Sequence, residues 1–323
     1  MPIRPLLPAD LPEIAHVVTF AYSDVLVRLH GQSALAAYQP RTPEMLGTLL
    51  EMGPEFCLVS EEEGRLTGGI FGRAWGSLGW FSSLAVVPDM QGRGHGRDLV
   101  EACVGRLRAG GGRAIGLETW ATAADYTAMY VGLGFRPVGL SAQLLARVDH
   151  AWPEPPDDLQ VVAAESLPDE LRSERLAMAD ALCDRIMAGL SLAAEIEHAE
   201  SHPTGHALWL LRDGEICGFG ICDTAPDYDT AGLHADLRTA VLDPERTTGD
   251  DFLALAAAAA RIAQAAGREY LDVDASTEYP GAYRLMLGSG FRASGQLLRF
   301  ISDGEPYPPN PERLIFNLGR WST

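Results

Sequence analysis

The chain has 323 residues, 47% hydrophobic and 21% charged, which supports a sizeable buried core and the length of two ordinary domains. Its formal net charge is −19 and all 25 basic residues are arginine, so the acidic surface repels phosphate backbones and argues against nucleic-acid binding. Without lysine, the chain has no side chain for Schiff-base chemistry.

No apolar run is long enough to span a bilayer, and the start, "MPIRPLLPADLPEIAHVV", lacks a basic region followed by an apolar one. These features predict no membrane association and no secretory signal. Cys57, Cys103, Cys183, Cys217 and Cys222 are odd in number and lack metal-type or redox-type spacing, so they read as reduced thiols in a cytoplasmic protein.

Taken in order, a short strand is expected near 3–6 and a helix near 9–29, where apolar residues recur at helical spacing. Three strands follow between Glu55 and Pro88, with a turn at Glu63–Gly64. "GRDLVEACVGRLRAGG" is an amphipathic helix ending in glycines. A strand at 114–120, a helix stopping at Gly134 and a last strand after Phe135 complete a unit of mixed α/β order, which implies a central sheet flanked by helices.

Two patterns recur. "GRLTG" at 64–68 is echoed by "GEICG" at 214–218, and "YVGLGFRPVG" at 130–139 by "MLGSGFRASG" at 286–295. Matches in the same order predict two tandem units, 1–150 and 151–323, joined at the Pro-rich, acidic stretch "WPEPPDDLQ".

Between the strand ending near Pro88 and the next helix lies Gln91-Gly92-Arg93-Gly94-His95-Gly96-Arg97. A helix N-terminus presents unpaired N–H groups and a partial positive charge. Glycines in the preceding turn permit positive φ and close approach, and Arg93 and Arg97 can add charge-assisted contacts to a phosphate. The spacing G-x-G-x-G does not fit the dinucleotide fingerprint, and a Walker loop needs a lysine. A plain glycine-rich turn is the alternative reading of these residues alone.

With Leu84, Val86 and Pro88 as lead-in, Gln91, Gly94 and Gly96 in the loop, and Tyr130 before Gly134–Phe135, the first unit resembles the GNAT acetyltransferase superfamily. The resemblance implies a mixed sheet whose two central strands splay at a bulge, with acetyl-CoA as cosubstrate in the opening. It implies that the amides around Leu84, Ala85 and Val86 hold the pantetheine arm and that 91–97 holds the pyrophosphate. It also implies that Tyr130 protonates the leaving thiolate. Where many members carry a glutamate base, this chain has Ser83. Glu118 and a water path are then equal candidates for the base, and Tyr22, Asp24 and His30 are candidates for the acceptor pocket.

In the second unit the junction reads "ERTTGDD": Gly249 alone remains, Asp250 and Asp251 stand at the expected helix start, and Met286 replaces the tyrosine. That unit is expected to be degenerate and structural, either closing the acceptor site or packing as an internal pseudo-dimer partner. His198, His202 and His206 fall at four-residue spacing, but Pro203 breaks the helix and no further ligands complete a site, so no metal is expected.

The expected function is transfer of acetyl to a small-molecule or peptide amine, by a monomer or a homodimer. The alternatives are a non-catalytic acyl-CoA-binding regulatory module and a mycothiol-synthase-like tandem acetyltransferase. By resemblance, the latter keep their working site in the C-terminal unit.

Overall fold

The computed structural model describes residues 2–36, 38–225 and 232–302. The stretch 303–323 of the expected second unit lies outside them. The chain divides into two compact units, each a mixed sheet flanked by helices.

In the first unit, β1 (Ile3–Pro5) leads through a 3-10 turn to α1 (Leu11–His30), which buries Ile14, Val18, Ala21 and Val25 along one face. Gly31, at φ 80, ends the helix. A helix that the sequence reading does not include follows, α2 (Pro43–Met52), with the Thr42 hydroxyl accepting from the Met45 amide at 3.3 Å as its N-cap. Then come β2 (Leu58–Glu62), β3 (Arg65–Trp75), β4 (Leu78–Val86), α3 (His95–Ala109), β5 (Ala114–Trp120), α4 (Ala124–Gly132) and β6 (Phe135–Arg147).

Strands β1 to β5 lie in sequence order. Neighbours are antiparallel except β4 and β5, which are parallel and joined through α3. Apolar side chains fill both faces: Ile14, Val18, Leu46, Val59 and Phe71 in one layer, Leu99, Cys103, Leu107, Ile115 and Phe81 in the other.

The second unit continues with β7 (Leu159–Ala163), α5 (Arg172–Ile186), α6 (Ala193–Ser201), β8 (Gly205–Arg212), β9 (Glu215–Asp223), β10 (His234–Leu242), α7 (Gly249–Ala265), β11 (Tyr270–Ser276), α8 (Pro280–Gly288) and β12 (Arg292–Ser302). The element order repeats that of the first unit. Both hairpin turns use a positive-φ pair, Glu63–Gly64 at 51° and 80° and Asp213–Gly214 at 53° and 80°. A two-residue turn of this kind matches the right-handed twist of the strands it joins, which explains why "GRLTG" and "GEICG" recur.

The units do not follow a single cut in the chain. Beyond Val138, β6 pairs with β11 in the second unit over Ser141–Arg147. Residues 298–302 of β12 belong to the first unit, where they lie beside β5. The expected division at 150 therefore separates residues that the compact units share out differently.

Candidate active site

Strands β4 and β5 pair only over Leu78–Ala114, Gly79–Ile115 and Trp80–Gly116. Beyond Trp80, β4 runs on to Val86 and β5 to Trp120 without pairing to each other, so the sheet opens between them. On its other edge, β4 carries a bulge: Ser83 and Leu84 together stand opposite Ile70 of β3. Ser83 takes φ 49, a left-handed conformation that costs a non-glycine residue about 1–2 kcal/mol. A bulge of this kind releases a backbone amide from the ladder, and that amide is then able to donate to another acceptor.

The loop 91–97 closes one end of this opening. Gln91 turns its side chain back, Nε2 donating to the Val86 carbonyl at 3.0 Å, and so braces the loop on β4. Gly92 and Gly94 have φ 72 and 94, which the tight turn requires and glycine adopts without strain. Gly96 has neither a positive φ nor a crowded Cβ position; an added Cβ would lie 3.8 Å from Met129 Sδ and Val86 Cγ2. Those contacts show that the start of α3, the end of β4 and α4 converge at one place.

Among the described residues, the amides of 92–97 donate no hydrogen bond. They form the positive end of a 15-residue helix and suit an anion. His95 Nδ1 is enclosed without a hydrogen-bond partner among the described residues. Arg93 is exposed, and Arg97 rests 3.9 Å from Glu101 in an exposed i,i+4 pair. Such a pair contributes only about 0.3–0.5 kcal/mol, so Arg97 is able to exchange it for a phosphate.

Tyr130, on α4, is 5% exposed and packed among Phe81, Phe135 and Phe300 with ring centroids 5.7–6.2 Å apart. Burial, reinforced by nearby Tyr22 and Tyr126, pushes its pKa well above the ordinary phenol value. The phenol therefore keeps its proton at neutral pH, the form a proton donor needs. Tyr22 of α1 meets Trp120 of β5 edge-to-face at 5.7 Å. Asp24 holds Arg28 at 3.1 Å, and Arg28 is also 3.8 Å from Asp125. The α1 residues expected at an acceptor site thus include two, Tyr22 and Asp24, close to α4 and the end of β5, whereas His30 is exposed at the end of α1.

Glu118 occupies a position that sequence spacing does not reveal. Its Oε1 accepts from Arg299 Nε at 2.9 Å and Nη2 at 2.7 Å, and the two side chains are 0% and 1% exposed. The guanidinium also lies 5.4 Å from the Trp80 ring centre. Arg299, Phe300 against Tyr130, and Ser302, whose Oγ accepts from the Ile115 amide at 3.2 Å, all come from the end of β12.

Deleting one partner of a buried ion pair strands the other charge, and Glu118→Ala is expected to destabilise the first unit by about 3–5 kcal/mol. Urea unfolding followed by tryptophan fluorescence measures this. An unchanged midpoint would mean that the pair does not hold β5.

The second unit keeps the opening and loses the cradle. Strands β10 and β11 pair only from His234–Tyr270 to Asp236–Asp272, and β10 has its own irregularity at Arg238. At the start of α7, however, Asp251 Oδ2 accepts from the Thr248 amide at 2.6 Å, and Oδ1 accepts from Arg212 at 2.8 Å. This carboxylate is fully buried, so a negative charge of the chain itself, in a capping box with Thr248, already stands at the positive end of α7, while Asp250 is exposed. Met286 is buried in the position corresponding to Tyr130.

His198 and His202 stack at 5.3 Å near the end of α6, and His206 is on β8. Among the described residues, no group of three or more His, Cys, Asp or Glu side chains is placed to hold a metal ion. No helix among them is long and apolar enough to cross a membrane.

Residues 25–135 match the Acetyltransferase (GNAT) family. No curated protein matches the chain. A GCN5-related N-acetyltransferase from Sphaerobacter thermophilus superposes with TM-score 0.63 at 16% identity, over 96% of this chain and 98% of that one. A tandem GNAT protein from the clavulanic acid biosynthesis pathway superposes with TM-score 0.60 at 14% identity, over 94% and 99%. At such identities the likeness is one of fold, and it extends over both units. With the opened strands, the bulge and the glycine loop inside the segment 25–135 that matches the GNAT family, the chain as a whole has the tandem GNAT fold.

Proposed function

We propose that the protein is an acetyl-CoA-dependent N-acetyltransferase whose working site is in the first unit. The observation that carries this reading is the contrast between two equivalent helix starts. The amides of 92–97 are without acceptors among the described residues, whereas Asp251 and Thr248 occupy the start of α7. The residues present fit acetyl-CoA: a pyrophosphate suits the 92–97 amides with Arg93 and Arg97, and an extended pantetheine suits the opened edge of β4 at Leu84, Ala85 and Val86. Acetyl-CoA supplies an activated thioester there.

The chain's own residues supply the rest. An amide at the bulge polarises the carbonyl, and the Tyr130 phenol provides a proton for the departing sulfur. An alkylamine with a pKa near ~10 must lose a proton before it attacks. Glu118 is enclosed and engaged by Arg299, which favours water as the carrier of that proton.

Calorimetric titration with acetyl-CoA is expected to give one site per chain. Two sites would mean that the second unit binds as well, and a single site that survives Gly94→Glu would place the working site in the second unit, as in a mycothiol-synthase-like arrangement. Turnover is read by thiol release across a panel of primary amines. The described cysteines are buried, and burial pushes the Cys57 and Cys183 thiols up to about 12, so the protein adds little background. Saturable acetyl-CoA binding without thiol release for any amine would instead identify an acyl-CoA-binding regulatory module.

A further inference from the structure

We propose that a cavity in the second unit, distinct from the acetyl-transfer site, binds a small zwitterion of the α-amino-acid class. The cavity has a volume of about 300 Å³, the low end for ligand sites. It lies where the turn after β7, the start of α5, the end of α6 and the start of β8 meet, and its charged lining is Glu165, Asp169, Arg172, Arg175 and Glu200, with His206 beside them.

Arg175 is the key group. Its side chain is 5% exposed, yet its only hydrogen bond among the described residues runs from Nη1 to the Pro168 carbonyl at 2.7 Å. Nε has no partner among them, and Nη2 is 4.0 Å from Glu200 Oε1, too far for a hydrogen bond. Glu200 uses its other oxygen, Oε2, to accept from Arg172 Nε at 2.7 Å, leaving Oε1 without a hydrogen-bond partner among the described residues. The two form a long ion pair, and the guanidinium also lies 6.0 Å from the Trp209 ring centre, yet Nε and Nη2 on one side and Oε1 on the other remain without hydrogen bonds among the described residues. Leaving such groups unmatched is costly, so an occupant that offers both an acceptor and a donor is favoured.

Charge decides the class of occupant. A simple anion would meet Arg175 but also face Glu200, with Glu165 and Asp169 exposed at the rim. A simple cation would suit the carboxylates and leave the open N–H groups of the buried guanidinium without an acceptor. A molecule carrying a carboxylate and an ammonium a few ångströms apart satisfies both sets, with charge-assisted bonds at each end. The site rests on residues 164–207 alone, so it stands or falls separately from the acetyl-transfer reading.

The test is calorimetric titration of the full chain with each common L-amino acid, with acetate and methylamine as the two halves of the zwitterion. At least one amino acid is expected to bind with a stoichiometry of one. Acetate and methylamine should each bind at least about tenfold more weakly, the loss that accompanies removal of one charge-assisted bond.

Glu200→Gln, nearly isosteric, should weaken amino-acid binding by about tenfold or more. Arg175→Gln should do the same if its circular dichroism matches the parent's. Gly94→Glu, in the other unit, should leave it unchanged. Absence of saturable binding by every amino acid would overturn the proposal, leaving water as the occupant. So would acetate binding as tightly as the amino acids, or undiminished binding in Glu200→Gln.

Discussion

Gly94→Glu is expected to abolish measurable acetyl-CoA binding while the chain stays folded. Gly94 is the N-cap of α3 at φ 94, and a Cβ there would meet nothing within 4 Å, so the side chain itself has room. The left-handed backbone costs a non-glycine residue about 1–2 kcal/mol, which a surface turn tolerates. The decisive change is the carboxylate. Placed at the positive end of the helix, it takes the amides that a phosphate would use, as Asp251 does at α7, and repels the phosphate charge. Gly94→Ala separates the two effects, because it carries the same backbone strain without the charge and should bind acetyl-CoA measurably. Calorimetry on both variants, with circular dichroism as the folding check, makes the comparison. Parent-like affinity in Gly94→Glu would remove the pyrophosphate from this loop.

Tyr130→Phe is expected to lower kcat by ~10²–10⁴-fold with acetyl-CoA affinity retained, the usual range for an acid–base group. The ring packs against Phe81, Phe135 and Phe300, and phenylalanine preserves that packing, so the variant removes only the hydroxyl. Because burial raises the Tyr130 pKa, the proton stays in place through neutral pH and is lost only above the range of an ordinary tyrosine. The same sign governs stability: the neutral phenol favours the folded state fully below about pH 10, and this contribution declines as the pH rises further. The activity that depends on Tyr130 should accordingly show no titration by this group between neutrality and about pH 10. Near-parental kcat in Tyr130→Phe, with the chemical step shown to limit turnover, would assign the tyrosine to packing alone.

The local features of this chain are legible in its sequence because they rest on short-range backbone requirements. A two-residue hairpin turn needs positive φ at both positions, so Glu63–Gly64 and Asp213–Gly214 announce themselves and reveal the repeat. Gly92 and Gly94 mark the sharp turn into α3 for the same reason. Asp251 is legible as a cap because it sits three residues after Thr248, within one helical turn. Helix α2 escapes a periodicity reading although Thr42 and Pro43 open it as a cap and a first-turn proline, since only 10 residues and two buried leucines carry its pattern.

What the tertiary structure decided are the relations between residues far apart in the chain. Glu118 and Arg299 are 181 positions apart, and no spacing rule connects them. Their pairing follows from β12 ending beside β5, which also brings Phe300 onto Tyr130 and Ser302 onto Ile115. The bulge at Ser83 depends on which residues of β3 stand opposite, and the opening beyond Trp80 on where β4 and β5 cease to pair. The cavity around Arg175 likewise gathers residues from four separate elements. Turns and caps are decided by the dihedral preferences of a few consecutive residues. Strand register and buried charge pairs are decided by which distant segments bury each other, a choice that the sequence encodes only through the packing of the whole unit.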